Sequence, residues 1–201
     1  MVETENDLTK SRLDKLQKLR SSGIDPYPHR YSRSHTSAQA HTLFESVENA
    51  ETEDSRTEIV SVAGRIMTFR GMGKATFADL LDSAGRIQVL FRKNKLSESY
   101  ELLSNLDIGD WIGASGSIFR TRTGQVTLEV DDFTVLSKSL KPLPEKWHGL
   151  TDLESRYRQR YLDLISNEDA RAVAVLRSRL ISATRRFMES RGFIEVETPT
   201  L

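Results

Sequence analysis

Cationic, amide and aromatic side chains lie close together in the middle of this sequence, and their spacing predicts that they share one face of a β-sheet. Phe77 alternates with apolar residues that would face the core, and Arg86 and Gln88 alternate with a second apolar set in the next predicted strand. An aromatic ring beside cations can stack on a base, and an amide can read the pairing edge of that base. The sequence therefore predicts a surface for single-stranded nucleic acid formed by Arg65, Arg70, Lys74, Phe77, Arg86 and Gln88.

Other kinds of reactive site are not supported by the spacing of the remaining residues. The run Gly71-Met72-Gly73-Lys74 lacks the spacing of a phosphate-binding loop, and a strand rather than a helix is predicted to follow it. The four histidines have no carboxylates at ligand spacing and there is no cysteine, so no metal site is predicted. No Ser/His/Asp set is visible either. The sequence therefore indicates a binding surface and no catalytic residue.

The composition excludes several classes of protein. The 201 residues carry 29 basic and 29 acidic side chains, so the net charge gives no reason to expect a polyanion as partner. The lack of cysteine excludes a disulfide framework and suits a reducing compartment. The polar first ten residues do not resemble a signal peptide, and no run reaches the roughly 18 apolar residues of a membrane span. We therefore expect a cytoplasmic protein of one large or two small domains.

Alternation and turn residues predict five short strands, with a helix between the third and the fourth. Gly64 lies inside the first strand, where glycine marks either a tight bend or the close approach of another backbone. Leu96, Tyr100 and Leu103 recur at the spacing of an amphipathic helix. This order of elements predicts an OB-fold, a five-stranded β-barrel, within residues 58–138. The strands are expected at 60–67, 75–80, 86–91, 109–119 and 126–130, with Phe133 and Val135 extending the last.

A helical extension is predicted before the barrel, over residues 1–57. It begins with a basic helix over 6–22, which Gly23 would end. A second helix is expected to begin at Thr36, with a glutamine three positions later completing a capping box. An acidic linker without apolar periodicity over 49–57 would lead into the barrel.

Further helices are predicted after the barrel, so the fold class is mainly β with flanking helices. Residues 139–165 would form a hinge stiffened by proline and a linker helix opened by Thr151. Residues 166–201 would begin another domain, with a long helix capped by Asn167 and a strand over 193–198. Such a helix and strand cannot bury their apolar side chains alone, so we expect this domain to be truncated.

Six runs of residues, which jointly are highly specific, make the chain similar to one family over nearly its whole length. They are residues 23–28 (GIDPYP), 35–41 (HTSAQAH), 72–77 (MGKATF), 143–150 (LPEKWHGL), 156–165 (RYRQRYLDLI) and 191–199 (RGFIEVETP). The chain resembles the N-terminal part of the bacterial-type class II lysyl-tRNA synthetases, and the last run resembles motif 1 of class II enzymes.

This resemblance implies an OB-fold that binds the anticodon of lysine tRNA, followed by the start of an α+β catalytic domain. In the full-length enzyme that domain would activate lysine with ATP and Mg²⁺. The resemblance also implies a homodimer, and tRNA rather than DNA or a membrane as partner. Motifs 2 and 3 would lie beyond Leu201, so the chain as given is expected to bind tRNA without charging it.

The resemblance also implies roles for particular residues. Carried over by position, Phe77 stacks on the middle anticodon uridine, and Arg70 and Gln88 hydrogen-bond the anticodon bases. In the first predicted strand, the regular alternation of apolar and polar residues ends before Arg70. The Arg70 side chain would therefore point outward only if the chain bends near Gly71. Where the family pattern has a glutamate that reads the third anticodon base, this chain has Gln125, which can hydrogen-bond but carries no charge.

Two alternatives remain at this point. Aspartyl- and asparaginyl-tRNA synthetases share the barrel and a similar Tyr-Leu-Asp-Leu run, but they usually lack the run over 23–28 and have arginine where Ile165 stands. The other alternative is a generic OB-fold module that binds single strands of any sequence. Base specificity would distinguish that module, since stacking alone tolerates every base.

Overall fold

The structure, a computed structural model, describes residues 2–48, 55–144, 150 and 152–199. The chain divides into two compact units, residues 1–142 and 143–201. The finer division into four segments stays a prediction. Most of the predicted linker over 49–57 and the later part of the predicted hinge lie outside the described residues. No helix in the described ranges is long and apolar enough to cross a membrane.

Five strands of the first unit close into a barrel in the order β1-β2-β3-β5-β4, which confirms the predicted OB-fold architecture. β3 and β5 pair in parallel, and the other four pairs are antiparallel. Inward-facing apolar residues from all five strands form one continuous core. The strands are β1 (Val60–Met72), β2 (Ala75–Leu81), β3 (Arg86–Arg92), β4 (Trp111–Arg120) and β5 (Val126–Ser137).

Gly64 lies where a side chain on β1 would press against β2. A Cβ atom added at Gly64 would lie 3.0 Å from the Cβ atom of Leu80 and 3.1 Å from the backbone oxygen of Leu81. Such distances are tighter than side chains normally tolerate, so the structure favours the close approach of backbones as the reason for this glycine.

A β-bulge in β1 sets the direction of the residues that follow it. The pairing with β2 shifts by one residue between Ile66 and Thr68, so both Ile66 and Met67 are buried. An extra residue reverses the alternation of side chains. Arg70 therefore points away from the core. The predicted bend near Gly71 was wrong, because the change occurs four residues earlier.

The segment between β3 and β4 differs from the predicted amphipathic α-helix. It consists of a short helix α3 (Lys93–Leu96) followed by a 3-10 helix (Ser97–Asn105). Ser97 has a φ of 50°, which interrupts the regular helix at that point. Leu103 nevertheless remains buried against the barrel, so the apolar spacing identified the buried face but not the type of helix.

The helical extension before the barrel matches the prediction closely. Helix α1 (Val2–Ser21) ends at Gly23, whose φ of 75° suits glycine. Helix α2 (Ser37–Val47) is capped by Thr36 in the predicted capping box.

A buried ion-pair network ties α1 to the chain just past β5. The Lys138 side chain is fully buried between the carboxylates of Asp107 and Asp110, with its Nζ 2.7 Å from Asp110 Oδ2. Burial alone would raise the pKa of Asp107, but hydrogen bonds from Lys138 and a second lysine lower that pKa below its ordinary value. From α1, Arg12 Nη1 donates to the backbone oxygen of Lys141 at 3.2 Å. The network therefore joins parts of the chain that are far apart in sequence.

Three helices are seen among the described residues of the second unit: α4 (Leu153–Arg158), α5 (Arg160–Ser166) and α6 (Glu168–Ser190). The predicted linker helix is broken at Gln159, and Asp152 caps its first part. Thr151, the predicted cap, lies outside the described residues. Asn167 caps α6 as predicted. The strand predicted over 193–198 was wrong. Those residues are neither helix nor strand, because no other strand of the described second unit offers them hydrogen-bonding partners.

Candidate nucleic-acid interface

Phe77 and the nearby Arg70 lie on the outer face, the side of β1, β2, β3 and β5 that points away from the barrel core. In the strand register, Phe77 lies opposite Arg70 of β1 and Leu90 of β3. The Phe77 ring is partly exposed, whereas the flanking Thr76 and Ala78 are buried. Phe77 therefore presents its ring to solvent next to an exposed guanidinium.

A second row of polar side chains crosses the same face. Gln88 lies opposite Asp79 of β2 and Thr127 of β5, so it is diagonal to Phe77 rather than directly across from it. Residues on a diagonal of an antiparallel pair are about 7–8 Å apart, within reach of one nucleotide base. The ring of Phe77 and the amide of Gln88 can thus contact the same base.

Hydrogen bonds hold the Gln88 amide in place. Thr127 Oγ1 donates to Gln88 Oε1 at 2.9 Å, and Gln88 Nε2 donates to Gln125 Oε1 at 3.3 Å. Gln88 is only 7% exposed, whereas Gln125 is exposed. The structure therefore brings together the two amides, Gln88 and Gln125, that the sequence analysis named as contacts for anticodon bases.

The direction of Arg70 is set by an acidic neighbour. Its Nη2 lies 3.9 Å from Asp79 Oδ2, and its side chain is 59% exposed. Asp79 also accepts a hydrogen bond from the Thr68 hydroxyl at 2.5 Å. Asp79 therefore lies within reach of both Arg70 and Thr68, and the strand register places Arg70 opposite Phe77.

The remaining predicted cations lie at two ends of the face. Lys74 is exposed in the turn between β1 and β2, near Phe77. Arg65 and Arg86 lie opposite the same residue of β2, Leu81, four positions away from Phe77. The structure therefore does not bring Arg65 and Arg86 next to Phe77.

Arg65 makes contacts that stabilise its own end of the barrel. Its Nη1 donates to the backbone oxygen of Gly109 at 2.9 Å, and its guanidinium lies 5.3 Å from the centre of the Trp111 ring. Burial lowers the pKa of Arg65, and the nearby Asp110 partly opposes that shift. These contacts direct the side chain toward β4 and away from the outer face.

The sequence analysis missed an acidic residue at the centre of the face. Glu129 of β5 is 7% exposed and pairs with Arg56, Arg92 and Lys95 at 2.7, 2.6 and 3.2 Å. Burial by itself would raise the pKa of Glu129, but hydrogen bonds from Arg56 and Lys95 lower it below its ordinary value. Its alternation with the inward-facing Leu128 could have revealed its direction.

A second aromatic ring on this side was also missed. Phe119 of β4 lies opposite Thr127 and is partly exposed, and the Arg56 guanidinium lies 4.9 Å from the centre of its ring. Its alternation with the buried Ile118 could have identified it. Taken together, the described side chains of this face can stack on bases, donate hydrogen bonds and contact phosphates.

Comparisons with known proteins agree with this geometry. The family described as OB-fold nucleic acid binding domain matches residues 60–136, and the family described as tRNA synthetases class II (D, K and N) matches residues 152–201. The lysine–tRNA ligase of Dehalococcoides mccartyi is 55% identical over 198 residues, which are 98% of this chain and 39% of that protein.

Two other relatives have the same name. The lysine–tRNA ligase of Enterococcus faecalis is 47% identical over 201 residues, 100% of this chain and 40% of that protein. That of Bacillus subtilis is 44% identical over 197 residues, 98% of this chain and 39% of that protein. The chain therefore spans about two-fifths of the length of the curated relatives it matches.

The two family matches correspond to a nucleic-acid-binding OB-fold followed by the start of a class II tRNA synthetase domain of the D, K and N group. The matches to lysine–tRNA ligases cover the whole chain, which is similar to the N-terminal part of those proteins. The predicted resemblance is confirmed, and the lysine branch is favoured over the aspartate and asparagine alternatives.

Proposed function

We propose that the outer face binds the anticodon of lysine tRNA, within an enzyme that attaches lysine to that tRNA at the expense of ATP. The observation that carries this proposal is the placement of an exposed arginine, a partly exposed aromatic ring and a held amide at neighbouring positions of one sheet face. Arg70 and Phe77 are directly opposite each other, and Gln88 is on the diagonal. A generic single-strand binder needs only the ring and the positive charge.

Each side chain has a distinct role in this proposal. Phe77 stacks on the middle uridine, which Gln88 and Arg70 contact through hydrogen bonds. Gln125, exposed beside Gln88, contacts the third anticodon base. Lys74 is a contact for phosphate beyond the ring. Arg86 takes the same role at the other end of the face. Arg65 is left out, because its guanidinium is bound to the barrel itself.

The chemistry of aminoacylation belongs to the whole enzyme and not to this chain. ATP and Mg²⁺ activate lysine there, and we propose that the enzyme is a cytoplasmic homodimer. Among the described residues of this chain, no three histidine or acidic side chains converge as a divalent cation would require. We therefore assign no step of the reaction to these residues.

Binding of the anticodon stem-loop tests the proposal. The chain is titrated, at one fixed salt concentration, against the lysine tRNA stem-loop and against the same stem-loop with the middle uridine changed to cytidine. Salt is fixed because phosphate contacts make affinity depend steeply on it. We expect the uridine form to bind roughly 5- to 150-fold more tightly, from about 1–3 kcal/mol for a well-formed base contact.

Three outcomes separate the alternatives. A clear preference for uridine supports anticodon reading. Equal affinity for the two stem-loops would replace the proposal with a generic single-strand binder. Failure to bind either one would remove nucleic acid as the partner of this face.

A further inference from the structure

Thr127 is a fully buried polar residue that lies directly opposite Gln88. Its hydroxyl carries one hydrogen and has two acceptors in reach, Gln88 Oε1 at 2.9 Å and the backbone oxygen of Gln125 at 3.2 Å. The nearer acceptor is the side-chain amide. A buried hydroxyl that contacts a residue of the binding face is more than packing, since an apolar residue of the same shape would fill the space without a polar group.

This hydrogen bond anchors the Gln88 amide at its place on the outer face. A side-chain amide can rotate by 180°, which exchanges its acceptor oxygen for its donor nitrogen. With Oε1 held by the Thr127 hydroxyl, the nitrogen lies on the side of Gln125. Nε2 carries two hydrogens, and Gln125 Oε1 accepts one of them. One donor is therefore left to contact a base.

We propose that Thr127 is a positioning residue that anchors the Gln88 amide against the base and thereby supports the preference for uridine over cytidine. Uridine has an acceptor oxygen at the exocyclic position where cytidine has an amino donor. An amide held with its nitrogen toward the base donates a hydrogen bond to the uridine oxygen and repels the cytidine amino group. This inference rests on the proposed function, and it adds a residue that does not itself contact the RNA.

Substitutions of Thr127 test the inference through a ratio of affinities. Thr127→Val keeps the shape and removes the hydroxyl, so the amide is free to rotate. We expect the uridine-to-cytidine ratio of affinities to fall roughly five- to tenfold, toward the ratio of Gln88→Ala, while Thr127→Ser keeps the ratio of the unaltered chain. Thr76→Val is the matched control. It removes a buried hydroxyl of the core side, 2.9 Å from the hydroxyl of Tyr100, and should lower stability without changing the ratio.

A second variant tests the polarity even if Thr127→Val does not fold. Gln88→Glu has the shape of glutamine but can only accept hydrogen bonds. If the nitrogen faces the base, this variant should lose the preference for uridine and shift toward cytidine. If it keeps the preference for uridine, the oxygen faces the base and the inference is overturned.

The outcomes distinguish the inference from the proposed function. If the unaltered chain prefers uridine but Thr127→Val has the same ratio, Thr127 does not position the amide, and anticodon reading stands. If the unaltered chain shows no preference at all, the proposed function itself fails. A ratio that falls equally in Thr76→Val would also overturn the inference, because loss of stability would then explain the change.

Discussion

Replacing Phe77 with alanine should reduce binding without unfolding the barrel. The ring is partly exposed on the outer face, so its removal leaves no cavity in the core. The backbone of Phe77 pairs with Arg70 and Leu90 through groups that the substitution does not change. We expect the free energy of unfolding to fall by less than ~1 kcal/mol. Loss of stacking should weaken binding of the stem-loop by ~1–3 kcal/mol, or roughly 5- to 150-fold.

Phe91→Ala is the matched control, because it deletes the same ring from the other face of the sheet. Phe91 is completely buried, and its ring centre lies 5.5 Å from that of Phe133. Its removal leaves a cavity and should cost about 3–5 kcal/mol of stability. Phe77→Ala should therefore lose affinity with little change in stability, whereas Phe91→Ala should mainly lose stability.

Two measurements check this pair: fluorescence anisotropy of a labelled stem-loop at fixed salt, and urea denaturation of the free chain. Unchanged affinity in Phe77→Ala would refute the stacking role. A loss of stability in Phe77→Ala as large as that in Phe91→Ala would refute the assignment of the ring to the outer face.

Two more predictions concern stability. Gly64→Val should lower the thermal melting temperature, because its side chain would press against the backbone of Leu81, and an unaltered melting temperature would show that β1 and β2 can separate there at little cost. The depressed pKa of Glu129 means that its ion pairs stabilise the fold above the ordinary carboxyl range of about 4 and are lost as the pH falls through the lowered value. Because Glu129→Gln removes this titrating carboxylate, the free energy of unfolding of the variant should fall less steeply as the pH is lowered into the acid range. An equally steep fall in the variant would contradict this.

The alternation of inward-facing apolar residues with outward-facing residues made much of the barrel predictable from the sequence. Strand β2 shows why: Thr76, Ala78 and Leu80 are buried in turn, and Phe77 between them is not. Helix caps were equally predictable, since the side chains of Thr36 and Asn167 accept hydrogen bonds from backbone groups only three residues away. Both signals are local, and local signals can be read from sequence.

Features that depend on distant partners were not predictable. The bulge at Met67 has no local marker such as glycine, and it follows from the pairing of β1 with β2. The ion pairs of Glu129 join residues from four separate segments. Gln88 was correctly placed away from the core, but its contact with Thr127 depends on the parallel pairing of β3 with β5, which alternation does not specify. The end of the chain was predicted as a strand from its residue types, but a strand forms only beside a partner.

The contact between Arg12 and Lys141 also has a consequence for the timing of synthesis. The two residues are 129 positions apart, so at about 5–20 residues per second the ribosome makes the second roughly 6–26 s after the first. Helix α1 is synthesised before the barrel, yet Arg12 and Lys138 find their partners only when the barrel is nearly complete. During that interval the apolar side chains of Leu16 and Leu19, which are buried in the finished fold, have no barrel to pack against. The nascent chain therefore carries an undocked amphipathic helix through most of the synthesis of the barrel, and that is when chaperones or early aggregation would act on it.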